Sequence, residues 1–185
     1  ALHAANLRRE ARNEAMILQL LDAGYDVRPY LGTSEGSLTR LHVALAMKDA
    51  GYVDSARAAF DTFLRPGQIG SVAGYRESCI APAEAIRVIR EAGGLAVWAH
   101  PMNVAANPHS MTRMLAAEGL GGIEAFHPSA TEGEAALLLS LAAQHNLFVT
   151  CGSDCHGANR PSVTLGCTWR DCAPLEKTYA YFVEN

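Results

Sequence analysis

Leu147-Phe148-Val149-Thr150-Cys151-Gly152-Ser153-Asp154-Cys155-His156-Gly157 passes from an apolar, strand-like run straight into a carboxylate and an imidazole two residues apart. At a strand end that spacing lets two hard or borderline ligands point into one pocket, and a divalent metal is the natural occupant. An Asp-x-His taken alone describes a surface turn equally well, so the rest of the chain has to decide. Gly93-Gly94-Leu95-Ala96-Val97-Trp98-Ala99-His100-Pro101 ends a second apolar run in a histidine, and Gly122-Ile123-Glu124-Ala125-Phe126-His127-Pro128 ends a third in Glu124 and His127. Three predicted strands therefore deliver polar residues at their carboxyl ends.

In parallel α/β sheets and barrels those ends open on one face, where ligands bind. The segments between them fit such a fold. Pro82 to Ala92 reads as a helix with Pro at its first position, an apolar stripe of Ala85, Ile86 and Ile89, and Gly93-Gly94 after its end. Helices over Met111 to Glu118 and Glu132 to His145 flank the Ile123 strand, so the order is strand, helix, strand, helix, strand, the signature of parallel α/β architecture. Upstream, Ala4 to Ala23 places Leu7, Ala11, Ala15, Leu18 and Leu21 near one face, with Gly24 as its stop. Ser37 to Ala50 and Asp54 to Leu64 are expected as a helical pair with Asp54 as an N-cap, and Pro66 to Ser78 as a loop.

Taken together, Gly93 to Pro101, Gly121 to Pro128 and Gly152 to Gly157 resemble the later motifs of the PHP (polymerase and histidinol phosphatase) metal-dependent phosphoesterases, in order, spacing and intervening helices. Thr39-Arg40-Leu41-His42-Val43-Ala44 resembles the Arg-x-His-hydrophobic-Ala motif of the subgroup with an inserted helical segment, and Arg8 to Arg12 the Arg-rich helix before it. The resemblance covers about Leu7 to Gly166. It implies a distorted seven-stranded β/α barrel and, for that subgroup, action on nucleoside 3',5'-bisphosphates and on the 5' ends of short RNAs. The fold class expected is thus α/β: the carboxyl-terminal part of a (β/α)7 PHP barrel with a helical insertion. Residues 1–78 would supply an N-terminal helix, a short strand and the insertion, and residues 79–185 the carboxyl-terminal barrel strands and helices.

The early His-x-His strand of that family has no counterpart here; Leu2-His3-Ala4 lacks the second histidine. The chain is accordingly read as the carboxyl-terminal part of a longer protein, without roughly the first third of a barrel that typically needs about 250 residues. The resemblance makes His100, Asp154 and His156 metal ligands, up to three ions being held in the intact protein. Glu124 and His127, at a strand end facing the site, would orient a ligand, although a simple turn role before Pro128 suits His127 equally. Arg40 and His42 are the candidates for gripping substrate phosphate, since a guanidinium offers oxygen atoms a planar fork of donors. Imidazole and carboxylate donors favour manganese or iron first and zinc next. Such ions suit phosphoester hydrolysis because they lower the pKa of a bound water and neutralise charge on phosphoryl oxygens.

Composition narrows the partners. The chain has 185 residues, is 49% hydrophobic and carries a formal net charge of −4, which suits one sizeable core and argues against a duplex-DNA surface. It leaves a phosphorylated small molecule, a nucleotide or a short RNA end compatible. No apolar stretch approaches the ~20 residues of a membrane helix. Five cysteines without a C-x-x-C pair are read as reduced thiols of a cytoplasmic protein, with Cys151 in the core and Cys155 a small packing residue turned away from Asp154 and His156. Two other readings compete: an inactive structural or binding fragment that self-associates or pairs with the missing segment, and a related metallohydrolase such as an amidohydrolase.

Overall fold

The computed structural model describes residues 2–32, 38–72, 79–104, 107–157 and 161–184. It divides into two compact units, Ala1–Ile80 and Ala81–Asn185.

The first unit is helical. Helix α1 (Leu2–Asp22) ends where Gly24 takes a φ of 92°, a left-handed value that glycine adopts without a Cβ penalty. Its buried face is not the expected Leu7, Ala11, Ala15, Leu18, Leu21 stripe; Leu7 and Leu18 are exposed, and Asn13, Met16 and Leu20 turn inward. The rotation is set by Asn13, whose amide donates to the Leu38 carbonyl at 2.6 Å, and by Met16 and Leu20, which share a core with Val27, Val43, Met47, Phe63 and Leu64. Among the described residues this unit holds no strand. Arg28–Tyr30 forms a single 3-10 turn, because Pro29 has no N–H for a ladder and Asp26 accepts from the backbone and guanidinium of Arg28.

Helix α2 (Arg40–Asp49) begins at Thr39, whose N–H donates to His42 Nδ1 at 2.9 Å. Ser37, the expected start, lies outside the described residues. Helix α3 (Ala56–Ala59) is capped by Ser55, not Asp54: the Ser55 hydroxyl accepts from the Ala58 N–H at 3.1 Å. It runs on as one π-helical turn, Phe60–Leu64.

The second unit is α/β. Its elements are α4 (Pro82–Glu91), β1 (Val97–Trp98), α5 (Pro108–Ala117), β2 (Gly122–Phe126), α6 (Glu132–Gln144), β3 (Phe148–Cys151) and α7 (Ala173–Glu184). Gly93, at a φ of 82°, terminates α4 as expected. The strands form a three-stranded parallel sheet in the order β1-β2-β3, with Trp98 opposite Ile123 and Ile123 opposite Val149. This is a small parallel sheet of the expected class, with three strands among the described residues. Helix α6 starts at a capping box in which Thr131 and Glu134 satisfy each other's backbone N–H groups. Its apolar positions Leu138, Leu141 and Ala142 close over Ile123, Ala125 and Val149. Helix α7 lies in a segment to which the sequence reading assigned no element. Its buried Thr178 hydroxyl donates to the Val149 carbonyl at 2.7 Å, and Tyr181 packs on Phe148 at 4.6 Å between ring centres.

Candidate metal centre

The carboxyl ends of β1, β2 and β3 converge in the second unit. His100, at the end of β1, holds a φ of 35° and opens directly into a 3-10 turn over Pro101–Asn103. A left-handed non-glycine residue is strained, and such strain is characteristic of functional sites. The His100 N–H donates to Glu124 Oε2 at 2.7 Å, while Gly152, just after β3, leaves the space that Glu124 Oε1 fills. A Cβ at position 152 would overlap that oxygen.

Glu124 and His127 are three residues apart, so strict alternation would send them to opposite faces of the sheet. The pairing of β2 with β3 is irregular between Glu124 and Phe126, and the strand ends at Phe126. Both side chains consequently line one small cleft with His100, Asn103, Ser129 and Leu138. Such irregularities commonly re-aim a side chain beside a site. The rings of His100 and His127 meet edge to face at 5.7 Å between centres.

Asp154 also takes a left-handed backbone, with a φ of 50°, so the Asp154-Cys155-His156 segment is not a plain extended run. One Asp154 carboxylate oxygen lies 3.7 Å from His127 Nε2 and the other 3.7 Å from His156 Nδ1. The His156 Nδ1 is 2.7 Å from the Asp154 carbonyl, an acceptor only, so Nδ1 carries the proton and Nε2 presents the lone pair. Cys155 is exposed, which corrects its expected packing role: the left-handed turn at Asp154 lifts it off the sheet. Cys151 packs at the edge of the core, where burial, and then the Glu124 carboxylate, push its thiol up and keep it protonated.

Of the residues singled out from the sequence, the structure gathers His100, Glu124, His127, Asp154 and His156 at these strand ends. Arg40 and His42 belong to the first unit. There the Arg40 guanidinium donates to the Leu64 carbonyl and lies over the Phe60 ring at 5.3 Å. His42 accepts at Nδ1 from Thr39, which leaves its neutral-ring proton on Nε2.

The donor set suits a divalent ion in part. Two ring nitrogens, His100 Nδ1 and His127 Nε2, are buried with no hydrogen-bond partner, a condition that buried polar atoms rarely tolerate. The 3.7 Å between His127 Nε2 and Asp154 Oδ2 exceeds a hydrogen bond. It is a separation that two donors each about 2.0–2.2 Å from one ion can adopt. Among the described residues, however, no group of three or more His, Cys, Asp or Glu is placed to hold an ion by itself. Sequence reasoning passed over Asn103 and Ser129, which line the same cleft, Asn103 through its N–H to the His100 carbonyl at 3.1 Å and Ser129 beside His127 Nδ1; their one signal in the sequence is proximity to His100-Pro101 and His127-Pro128.

No family model matches the chain. Individual relatives do. It is 34% identical over 155 residues to a phosphoribosyl 1,2-cyclic phosphate 1,2-diphosphodiesterase of Eggerthella lenta, covering 81% of this chain and 57% of that protein. It is 33% identical to the 5'-3' exoribonuclease Rnm of Escherichia coli, over 65% of this chain and 41% of that protein. To a 3',5'-nucleoside bisphosphate phosphatase of Chromobacterium violaceum it is 30% identical, over 75% and 48% of the two chains. Among solved structures, a metal-dependent phosphoesterase from Bifidobacterium adolescentis superposes with a TM-score of 0.71, and an amidohydrolase from Chromobacterium violaceum with bound sulfate and no metal with 0.77. Each of the two is 26% identical, over 94% of this chain and 62% of the other. The chain is a homologue of the PHP metal-dependent phosphoesterases, as its motifs imply. It spans about half the length of the curated relatives it matches.

Proposed function

We propose that this chain supplies the carboxyl-terminal part of the active centre of a metal-dependent phosphoesterase, acting on a phosphate ester of a nucleotide or of a short RNA end. The observation that carries the reading is the pair of buried, unpartnered ring nitrogens of His100 and His127, the latter 3.7 Å from an Asp154 carboxylate oxygen. The three curated relatives support the substrate class, since their names describe a phosphoribosyl, a ribonucleic acid and a nucleoside bisphosphate substrate.

In this reading His100, Asp154 and His156 hold divalent ions, manganese or iron before zinc, with further ligands and strands coming from outside the chain. That division is supported by the relatives' greater length and by the lack of a self-sufficient ligand group among the described residues. Bound ions supply an acidified water and charge neutralisation for the phosphoryl group. The chain's own residues do the positioning. Glu124 pins the His100 backbone, the Asp154 carbonyl holds His156 through Nδ1, and Gly152 leaves room for Glu124. Arg40 and the Nε2–H of His42 are proposed as donors to substrate phosphate.

The amidohydrolase reading has one structural neighbour behind it, whereas every relative named above at 30% identity or more cleaves phosphate esters. The test is metal analysis of this chain and of a longer parent, with phosphate release from a nucleoside 3',5'-bisphosphate in added manganese. Turnover by the parent, reduced at least a hundredfold by His100→Ala or Asp154→Asn, is expected. A metal-free, inactive parent would overturn the reading.

A further inference from the structure

Cys151 is the last residue of β3, and Cys172 stands immediately before α7. Side chains two apart on a strand share a face, so Cys151 lies on the side of β3 from which Val149 enters the core. On α7 the inward ridge runs through Leu175 and Thr178, 3% and 7% exposed, and one step of three back along it reaches Cys172. The helix runs against the strand. The Thr178 hydroxyl donates to the Val149 carbonyl at 2.7 Å, and Tyr181, farther along the helix, packs on Phe148, earlier in the strand. Carried the other way, the same register brings the start of α7, with Cys172, to the end of β3, with Cys151.

Both cysteines pack on the core of Ile123, Leu138, Val149 and Leu175. The Cys172 carbonyl accepts from the Leu175 and Glu176 N–H groups at 3.0 and 3.1 Å, which ties that cysteine to the helix rather than to the segment before it. The two thiols also feel each other: after burial and the Glu124 carboxylate, charge at Cys172 is the next influence raising the Cys151 thiol. Both are free and half-buried, within reach of a small oxidant.

We propose that Cys151 and Cys172 form a reversible disulfide, a modification site that takes its oxidising equivalents from a small disulfide such as oxidised glutathione. The Cys172 thiolate attacks the small disulfide, expelling one glutathione thiolate and leaving a mixed disulfide. Cys151, kept protonated by burial, reacts second: its thiol gives up a proton, and its sulfur attacks Cys172 Sγ and releases the other glutathione. Two protein thiols are oxidised, one disulfide is reduced to two thiols, and both protons end on the released glutathiones. The new bond closes the segment from β3 to α7, which carries Asp154 and His156, so oxidation restrains the two residues at that end of the site.

The test is incubation of the full chain, under native conditions, with oxidised glutathione, then alkylation of the remaining thiols and peptide mass mapping without reduction. A disulfide forms only where the two Cα atoms come within about 7 Å, so the linkage itself reads the register. The expected result is a Cys151–Cys172 linked peptide as the main intramolecular product, reversed by dithiothreitol and lost in Cys172→Ser. In Cys151→Ser a glutathione adduct is expected to accumulate at Cys172. In urea, where short loops close most readily, the expected pairs are the sequence neighbours Cys151–Cys155 and Cys167–Cys172. Those same neighbour pairs as the main products of the native chain, or glutathione at Cys172 without any link to Cys151, overturn the proposal. Because the readout is a mass, it is decided with or without metal, and whether or not the parent hydrolyses a phosphate ester.

Discussion

Gly152→Ala is the sharpest perturbation this site allows. Among the described residues, the heavy atoms within 4 Å of the added Cβ, apart from chain neighbours, belong to Glu124: Oε1, well inside van der Waals contact, and Cδ at 3.2 Å. To reach ordinary contact the carboxylate must retreat by roughly 1 Å, since real Cβ contacts stay beyond about 3 Å. The same carboxylate accepts the His100 N–H at 2.7 Å, so the retreat loosens a charge-assisted hydrogen bond of about 1.5–3 kcal/mol. Gly152 is not in a left-handed conformation, so Ala restricts the unfolded chain and returns about 0.4–1 kcal/mol. The net expectation is a destabilisation of about 1–2 kcal/mol. In a Glu124→Ala background the obstruction is gone, and the same change should stabilise by about 0.4–1 kcal/mol. The chain's two tryptophans, Trp98 and Trp169, both lie in the second unit, so urea unfolding followed by their fluorescence reports the cycle there. A substitution that costs the same in both backgrounds would refute the reasoning, because the opposite signs come only from the Glu124 contact.

Three further outcomes are expected. His42→Ala removes the acceptor of the Thr39 N–H and should destabilise the start of α2 by about 0.5–2 kcal/mol, seen as faster amide exchange over its first turn. Glu134 is held below its ordinary carboxyl range, chiefly by the Thr131 backbone N–H. Its contribution to α6 is therefore present above the unfolded-state pKa and lost as the pH falls through the lower folded value. Helix content followed by circular dichroism should drop in that window, and Glu134→Gln should flatten the dependence. With its thiol pushed up by burial, Cys151 should be alkylated more slowly near neutral pH than exposed Cys155, as peptide mass mapping of a timed iodoacetamide reaction would show.

Periodicity and end signals alone placed most of the elements in the second unit. Pro82 and Gly93 mark helix ends because caps and stops depend on local backbone geometry, which neighbouring residues dictate. The strand-end polar residues were legible for a related reason: an apolar run that stops at a His or Glu exposes it where parallel strands open. The first unit was less legible. Leu7 and Leu18 form an apolar stripe on α1, yet Asn13 is inward, because a distant carbonyl at Leu38 satisfies its amide and no local pattern announces that partner. The helix α7 drew no assignment, and its place is decided by Thr178 and Tyr181 meeting β3.

Which ligand atoms are available was likewise a tertiary matter. Strand-end positions in the sequence already marked His100, Glu124, His127, Asp154 and His156 as ending or following strands of one parallel sheet, as the structure has them. Only the folded structure decided that an irregular β2–β3 register turns Glu124 and His127 into the same cleft, and that Asn103 reaches Ser129 across 26 positions. Hydrogen-bond partners so far apart in the chain are chosen by packing, and the protonated nitrogen of a buried imidazole is chosen by those partners.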